Sequence, residues 1–329
     1  MRILRVGNGP IIAADTDPSI GENIQGPSLV RAPDWLDEPL GRYLLYFADH
    51  KGSYIRLAFA DDVEGPWEIH QPGSLHLANS CFLTKPPPAD DEQLEQLGDF
   101  YTHIFGASEW SHDLLFDAVT PHVASPDVHV DLERRRFVMY LHGLDSFGRQ
   151  VTRAALSDDG LGFVGRPEVI GDPYFRAFAH DGMTYALMMP GVFLRSRDGL
   201  TDFERGPQLF EPAMRHAAVI VRGGRLHVFW TRVGDAPESI LHSTVDITDE
   251  WMSWTESSTT VVLRPELDWE GADAPVEPSK RSTAYGHVHQ LRDPAVFVDD
   301  GPGGDGRSWL LYAVAGESGI ALAEIDWDG

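Results

Sequence analysis

Apolar and polar residues alternate in short runs along most of the chain, and hardly any segment sustains a helical period, so the pattern predicts strands. The runs come in groups of four that recur five times. The clearest group is residues 23–31, 43–50, 55–60 and 65–69. A second runs through 122–130, 136–142 and 150–157, and a third through 174–178, 184–189, 193–198 and 206–210. A fourth opens at 215–220 and 226–232, and a fifth at 291–297, 309–314 and 320–325. Four short strands cannot bury both faces alone, so neighbouring groups must stack, and stacking around an axis gives a five-bladed β-propeller. The expected fold is therefore all-β, one propeller domain over residues 1–329. The fifth group runs out of chain before its fourth strand, so residues 3–13 are expected to close it and remove the free edge.

Two stretches interrupt the pattern, residues 71–121 and 264–290. The first holds Pro86-Pro87-Pro88, an acidic run from Asp90 to Glu95, and the aromatics Phe100, Tyr101, Phe105 and Trp110. Long irregular insertions in compact folds are functional or disordered; the aromatics favour a packed flap over one end of the propeller.

Composition narrows the partners more than the fold. Of 329 residues 42% are hydrophobic and 23% charged, which suits a soluble globular protein. The formal net charge of -25 argues against nucleic acid and against an anionic membrane surface. A single cysteine, Cys81, excludes an internal disulfide framework. The N-terminal residues lack a signal-like apolar stretch, so a cytoplasmic location is the expectation.

In a propeller the starts of the first strands and the ends of the second strands meet in one funnel. The first set is Gln25, Asp127, Arg176, His216 and Asp293; the second is Asp49, His50, His142, Arg232 and Glu317. Carboxylates, imidazoles and guanidinium groups together suit a polar sugar or an organic acid. Each also has a structural reading: Asp127 and Asp293 as turn residues, Asp49 within a polar hairpin turn, His216 as a hydrogen-bonded core histidine. In the insertion, Glu109 offers a further carboxylate and Trp110 a stacking platform if the flap folds over the funnel. Fourteen histidines, with His287-Val288-His289, His129 and His216 near inner strands, leave a divalent metal open, either a transition metal or Ca²⁺ on the axis.

Three motifs carry a family resemblance: Ser125-Pro126-Asp127-Val128, Arg292-Asp293-Pro294-Ala295, and Ala58-Phe59-Ala60-Asp61-Asp62 leading to Gly65-Pro66-Trp67. In these the chain resembles the five-bladed propeller glycosidases of glycoside hydrolase family 43. The resemblance implies an Asp opening blade one as general base, an Asp opening blade two as pKa modulator, and a Glu in blade three as general acid. Only the second finds a match, at Asp127. Blade one presents Gln25-Gly26-Pro27-Ser28 and blade three Tyr174-Phe175-Arg176. The expected function is a carbohydrate-active enzyme for a small glycoside or oligosaccharide, with a reassigned acid/base set drawn from Asp127, Asp49, Asp293, His50 and His216. Gln25, Arg176, His142, Arg232, Glu317 and Trp110 would bind the substrate. Elimination or metal-assisted chemistry on an acidic sugar, and a propeller that binds saccharide without turnover, remain alternatives.

Overall fold

In a computed structural model of the chain, describing residues 1–105, 113–301 and 303–329, the strands form five antiparallel sheets. Blade one is Gln25–Arg31, Tyr43–Ala48, Tyr54–Ala60 and Glu68–Ile69, with Leu75–His76 also pairing the third strand. Blade two is Val123–Asp131, Arg136–Ser146, Arg149–Ser157 and Val164–Gly165. Blade three is Arg176–His180, Met183–Met188, Val192–Ser196 and Glu204–Gln208. Blade four is Met214–Arg222, Arg225–Arg232, Ile240–Asp246 and Thr260–Leu263. Blade five is Arg292–Val298, Ser308–Ala313 and Gly319–Asp326, closed by Arg2–Arg5 in the register Arg2 to Asp326.

The second strands are continuous apolar runs because each blade is covered on both faces. Along Tyr43–Ala48, alternate residues belong to different cores: Leu44, Tyr46 and Ala48 pack toward blade two, Tyr43, Leu45 and Phe47 toward blade five. Five buried clusters result, one at each interface between neighbouring blades. The acidic turn that marks the repeat is a structural device. Asp159 and Asp198 each accept two backbone N–H groups of their own turn, and the glycine carbonyl beside each is capped by a tyrosine of the preceding blade: Tyr46 to Gly160 at 2.8 Å, Tyr140 to Gly199 at 2.9 Å.

The stretch 71–121 departs from the expected irregular insertion. Residues 75–76 stay with blade one, and two helices follow, α1 (Asp91–Phe105) and α2 (Leu114–Val119). The acidic run falls on the first turn of α1, where it faces the positive end of the helix dipole. Among the described residues no helix is long and apolar enough to cross a membrane.

Candidate active site

Each blade bends its innermost chain at one residue in the left-handed region: Gly26 (φ 61°), Ser125 (49°), Tyr174 (58°), His216 (45°) and Asp293 (43°). In blades one, two, four and five the pairing register slips at that residue, for example Ala124 opposite His142 but Asp127 opposite Tyr140. Such a bulge turns a side chain out of the sheet, here toward the axis. Holding a bulky residue at positive φ costs on the order of 1–3 kcal/mol, and such strain concentrates at functional sites.

The register corrects the alignment read from sequence. Gly26, Ser125 and Asp293 all directly precede a proline, and they share one level with Tyr174 and His216. Asp127 and Arg176 lie two residues further on, at the level of Ser28, Ala218 and Ala295.

Two carboxylates occupy the funnel floor. Glu317, fully buried, accepts from Arg292 Nη1 (2.8 Å), the Ala284 amide (3.1 Å) and Asn23 Nδ2 (2.8 Å), and its Oε2 lies 3.3 Å from His50 Nδ1. Burial opposes its ionisation, but His50, Arg292 and Asn23 outweigh that and hold it well below the usual carboxylate range. Asp293, 1% exposed, has no hydrogen-bond partner on either oxygen; His216 Nε2 is 3.9 Å away. Burial and then the Glu317 charge push Asp293 upward. The two carboxyls therefore separate into a neutral-leaning and an ionised one.

Above them stands Tyr174, its ring 4.8 Å from both His142 and His216. Burial, Asp293 and Glu317 raise the phenol well above its ordinary value, so it holds its proton. Burial lowers both imidazoles well below theirs, which keeps them neutral. His216 Nδ1 lies 3.1 Å from the Thr231 hydroxyl.

A cavity of about 760 Å³ opens over this group, walled by His50, Tyr174, Arg215 and His216. Its roof comes from the insertion: Leu97, Phe100 and Tyr101 of α1 and Asp117 of α2, with Lys51 Nζ 2.6 Å from Asp117 and Tyr101 donating to the Gly148 carbonyl at 3.0 Å. Trp110 and Glu109 lie outside the described residues.

Of the residues expected from sequence, His50, His142, His216, Asp293 and Glu317 come together here. Gln25 is fully buried with both amide atoms unpartnered. Arg176 lies deeper in the axis, donating to the carbonyls of Ala217 (2.9 Å), Ser125 (3.2 Å) and Pro126 (3.3 Å). Three residues lie elsewhere. Asp127 accepts from His129 and the Ala177 amide, both at 2.8 Å, on the far side of Arg176. Asp49 caps its own turn through the Lys51 amide and lies 3.6 Å from Arg56. Arg232 is held by Glu211 (2.8 Å) and Asp235 (2.9 Å) at the blade edge.

The residues do not fit a bound metal. His287 pairs with Asp273, His289 faces the carbonyls of Ala274 and Pro265, and His129 serves Asp127. Among the described residues no three His, Cys, Asp or Glu side chains converge on a metal position, and Arg176 already places a fixed positive charge on the axial carbonyls.

Sequence reasoning missed Tyr174, and with it the ion pairs that fix the floor, Arg215 with Glu238 and Arg292 with Glu317. Aligning the blades on Gly26-Pro27, Ser125-Pro126 and Asp293-Pro294, rather than on acidic residues, would have put Tyr174 in the same column as Asp293.

No family model matches the chain. An uncharacterized protein of Acanthamoeba polyphaga mimivirus is 33% identical over 330 residues, covering 92% of this chain and 83% of the viral protein. Among solved structures, a thermostable family-43 glycoside hydrolase superposes with a TM-score of 0.55 at 15% identity, covering 92% of this chain and 89% of its own. An endo-1,4-beta-xylanase from Bacteroides thetaiotaomicron gives 0.56 at 12% identity (93% and 90%), and a family-43 subfamily-1 enzyme from Xanthomonas citri 0.55 at 12% (96% and 90%). The fold is that of the five-bladed family-43 glycoside hydrolases.

Proposed function

Since the chain belongs to one family with the mimivirus protein and carries the propeller of the family-43 glycoside hydrolases, we propose that it is a carbohydrate-active enzyme with a non-standard acid/base set. The observation that carries this reading is the pair of buried histidine–carboxylate couples, His50 with Glu317 and His216 with Asp293, on either side of a strained Tyr174. The substrate is a small glycoside or oligosaccharide in the cavity above them.

The division of labour follows from the charges. Tyr174, held protonated, presents its O–H to the departing oxygen. His50, backed by ionised Glu317, takes a proton from water or from a sugar hydroxyl. Asp293 sits beneath His216 and acts through it, as a positioning residue and proton store. General acid–base groups of this kind contribute about 10²–10⁴-fold each.

A second reading is favoured by the cavity wall, where Arg149, Arg205, Arg215 and Arg281 face Asp117 and Asp172 in a chain of net charge -25. Such a wall suits an acidic sugar, on which a tyrosine and a histidine would carry out elimination while arginine neutralises the carboxylate.

One incubation separates the readings. The protein is mixed with neutral and uronate-containing oligosaccharides, and both reducing ends and the ultraviolet absorbance of unsaturated uronates are followed. Reducing ends without absorbance support hydrolysis; both together support elimination. Saturable binding with no product over the panel overturns the enzymatic reading and leaves a saccharide-binding propeller.

A further inference from the structure

The inner strands run away from the funnel, and their later residues enclose a second cavity of about 540 Å³ at the opposite mouth. This volume falls within the range of small-molecule sites. Its walls include Val30, Val128, Val219, Val296 and Phe297, contributed by four different blades.

Its polar groups are unevenly satisfied. The acceptors are taken: Asp127 by His129 and the Ala177 amide, Asp299 by Arg31 (2.8 Å) and Tyr43 (2.7 Å). Donors are left over. Arg176 Nη2 has no partner although the residue is only 4% exposed, and none of the described carboxylates lies within ion-pair distance of that guanidinium. Trp35 Nε1, also on this wall, is buried and unpartnered. His129 uses Nε2 on Asp127, whose charge favours the imidazolium, and its ring is stacked edge-on against Tyr140 at 5.7 Å. An unpaired buried guanidinium is costly, and surplus donors call for a ligand that brings acceptors.

We propose that this mouth is a second binding site, separate from the funnel, for a small amphipathic anion. Its carboxylate meets Arg176, Trp35 and His129, and its apolar body lies on the valine wall. Arg176 divides the two sites: its guanidinium spans the axis and closes the channel between them.

Isothermal titration with phenylacetate and with phenylacetamide tests the proposal on the full chain. Arg176 is left in place because it holds three carbonyls; Trp35→Phe and His129→Gln each remove one donor and keep the shape. Phenylacetate is expected to bind at one site, with the amide about tenfold weaker and each variant weakened about five- to tenfold. Tyr174→Phe, in the funnel, is expected to leave this binding unchanged. Absence of saturable binding by phenylacetate overturns the proposal, and so does equal affinity for acid and amide. Binding that both lower-mouth variants leave intact, or that Tyr174→Phe abolishes, overturns it as well.

Discussion

His216 holds its Nε2 3.9 Å from Asp293 Oδ1, beside a carboxylate that no hydrogen-bond donor reaches. Both side chains spring from left-handed residues of neighbouring blades, so the couple is set by backbone geometry rather than by a rotamer. It sits directly beneath Tyr174, and this arrangement makes the phenol the group to remove first.

Tyr174→Phe keeps the ring between His142 and His216 and deletes only the hydroxyl. Turnover of a responsive saccharide is expected to fall about 100-fold or more while the thermal midpoint stays close to wild type. Unchanged kcat would show that the phenol does not touch the reacting atoms.

The two floor carboxylates leave opposite marks on stability. Asp293 ionises at higher pH in the folded chain than in the unfolded one, so in the window between those values the folded state binds the extra proton. Stability contributed there falls as pH rises from the ordinary carboxylate range toward the raised value. Glu317 ionises lower when folded, so its contribution is present above the ordinary range and is lost as pH falls through its depressed value. Melting curves across pH are expected to lose the first slope in Asp293→Asn and the second in Glu317→Gln. Glu317→Gln should also cost about 3–5 kcal/mol at neutral pH, since Arg292 would stay buried opposite an uncharged amide.

Ring closure depends on Arg5. Its guanidinium donates to fully buried Glu270 at 2.8 and 3.0 Å, and Tyr312 donates to the same carboxylate at 3.0 Å. Arg5→Ala strands that charge at the seam between the first and last strands of the chain. A loss of about 3 kcal/mol in urea denaturation is expected; a loss under about 1 kcal/mol would mean the seam is held by strand pairing alone.

The roof is tied down at Gly148, which adopts φ +63° and leaves a Cβ only 2.6 Å from Leu97. Gly148→Ala pushes on α1 and strains the turn by about 1–2 kcal/mol. The expected outcome is a raised KM with kcat little changed, because the residues of the floor are untouched. Equal falls in both parameters at constant fold would place the roof in the chemistry itself.

Five blades, their strands and the closing segment were legible because both-face burial writes continuous apolar second strands such as 43–48 and 309–313. Helix α1 was legible too, through Leu94, Leu97 and Tyr101, half-buried residues spaced three and four apart. The flanking prolines drew attention to a loop instead. The site was partly legible: His50, His216, Asp293 and Glu317 sit where strand ends meet. Asp127 misled because an acidic residue two positions past the bend points into the other mouth. A bulge shifts level by residues that alternation alone does not count.

Gly26 has a consequence for anyone redesigning the funnel. Blade one contributes no side chain at the bend, yet a Cβ built there would lie 3.0 Å from Ser125 Cα. The ring has contracted around the missing group, so the gap has been taken up by the neighbouring backbone. Grafting a carboxylate onto blade one therefore means prying two blades apart, and a new acid is more cheaply installed at Ser125, whose bend already accommodates a side chain.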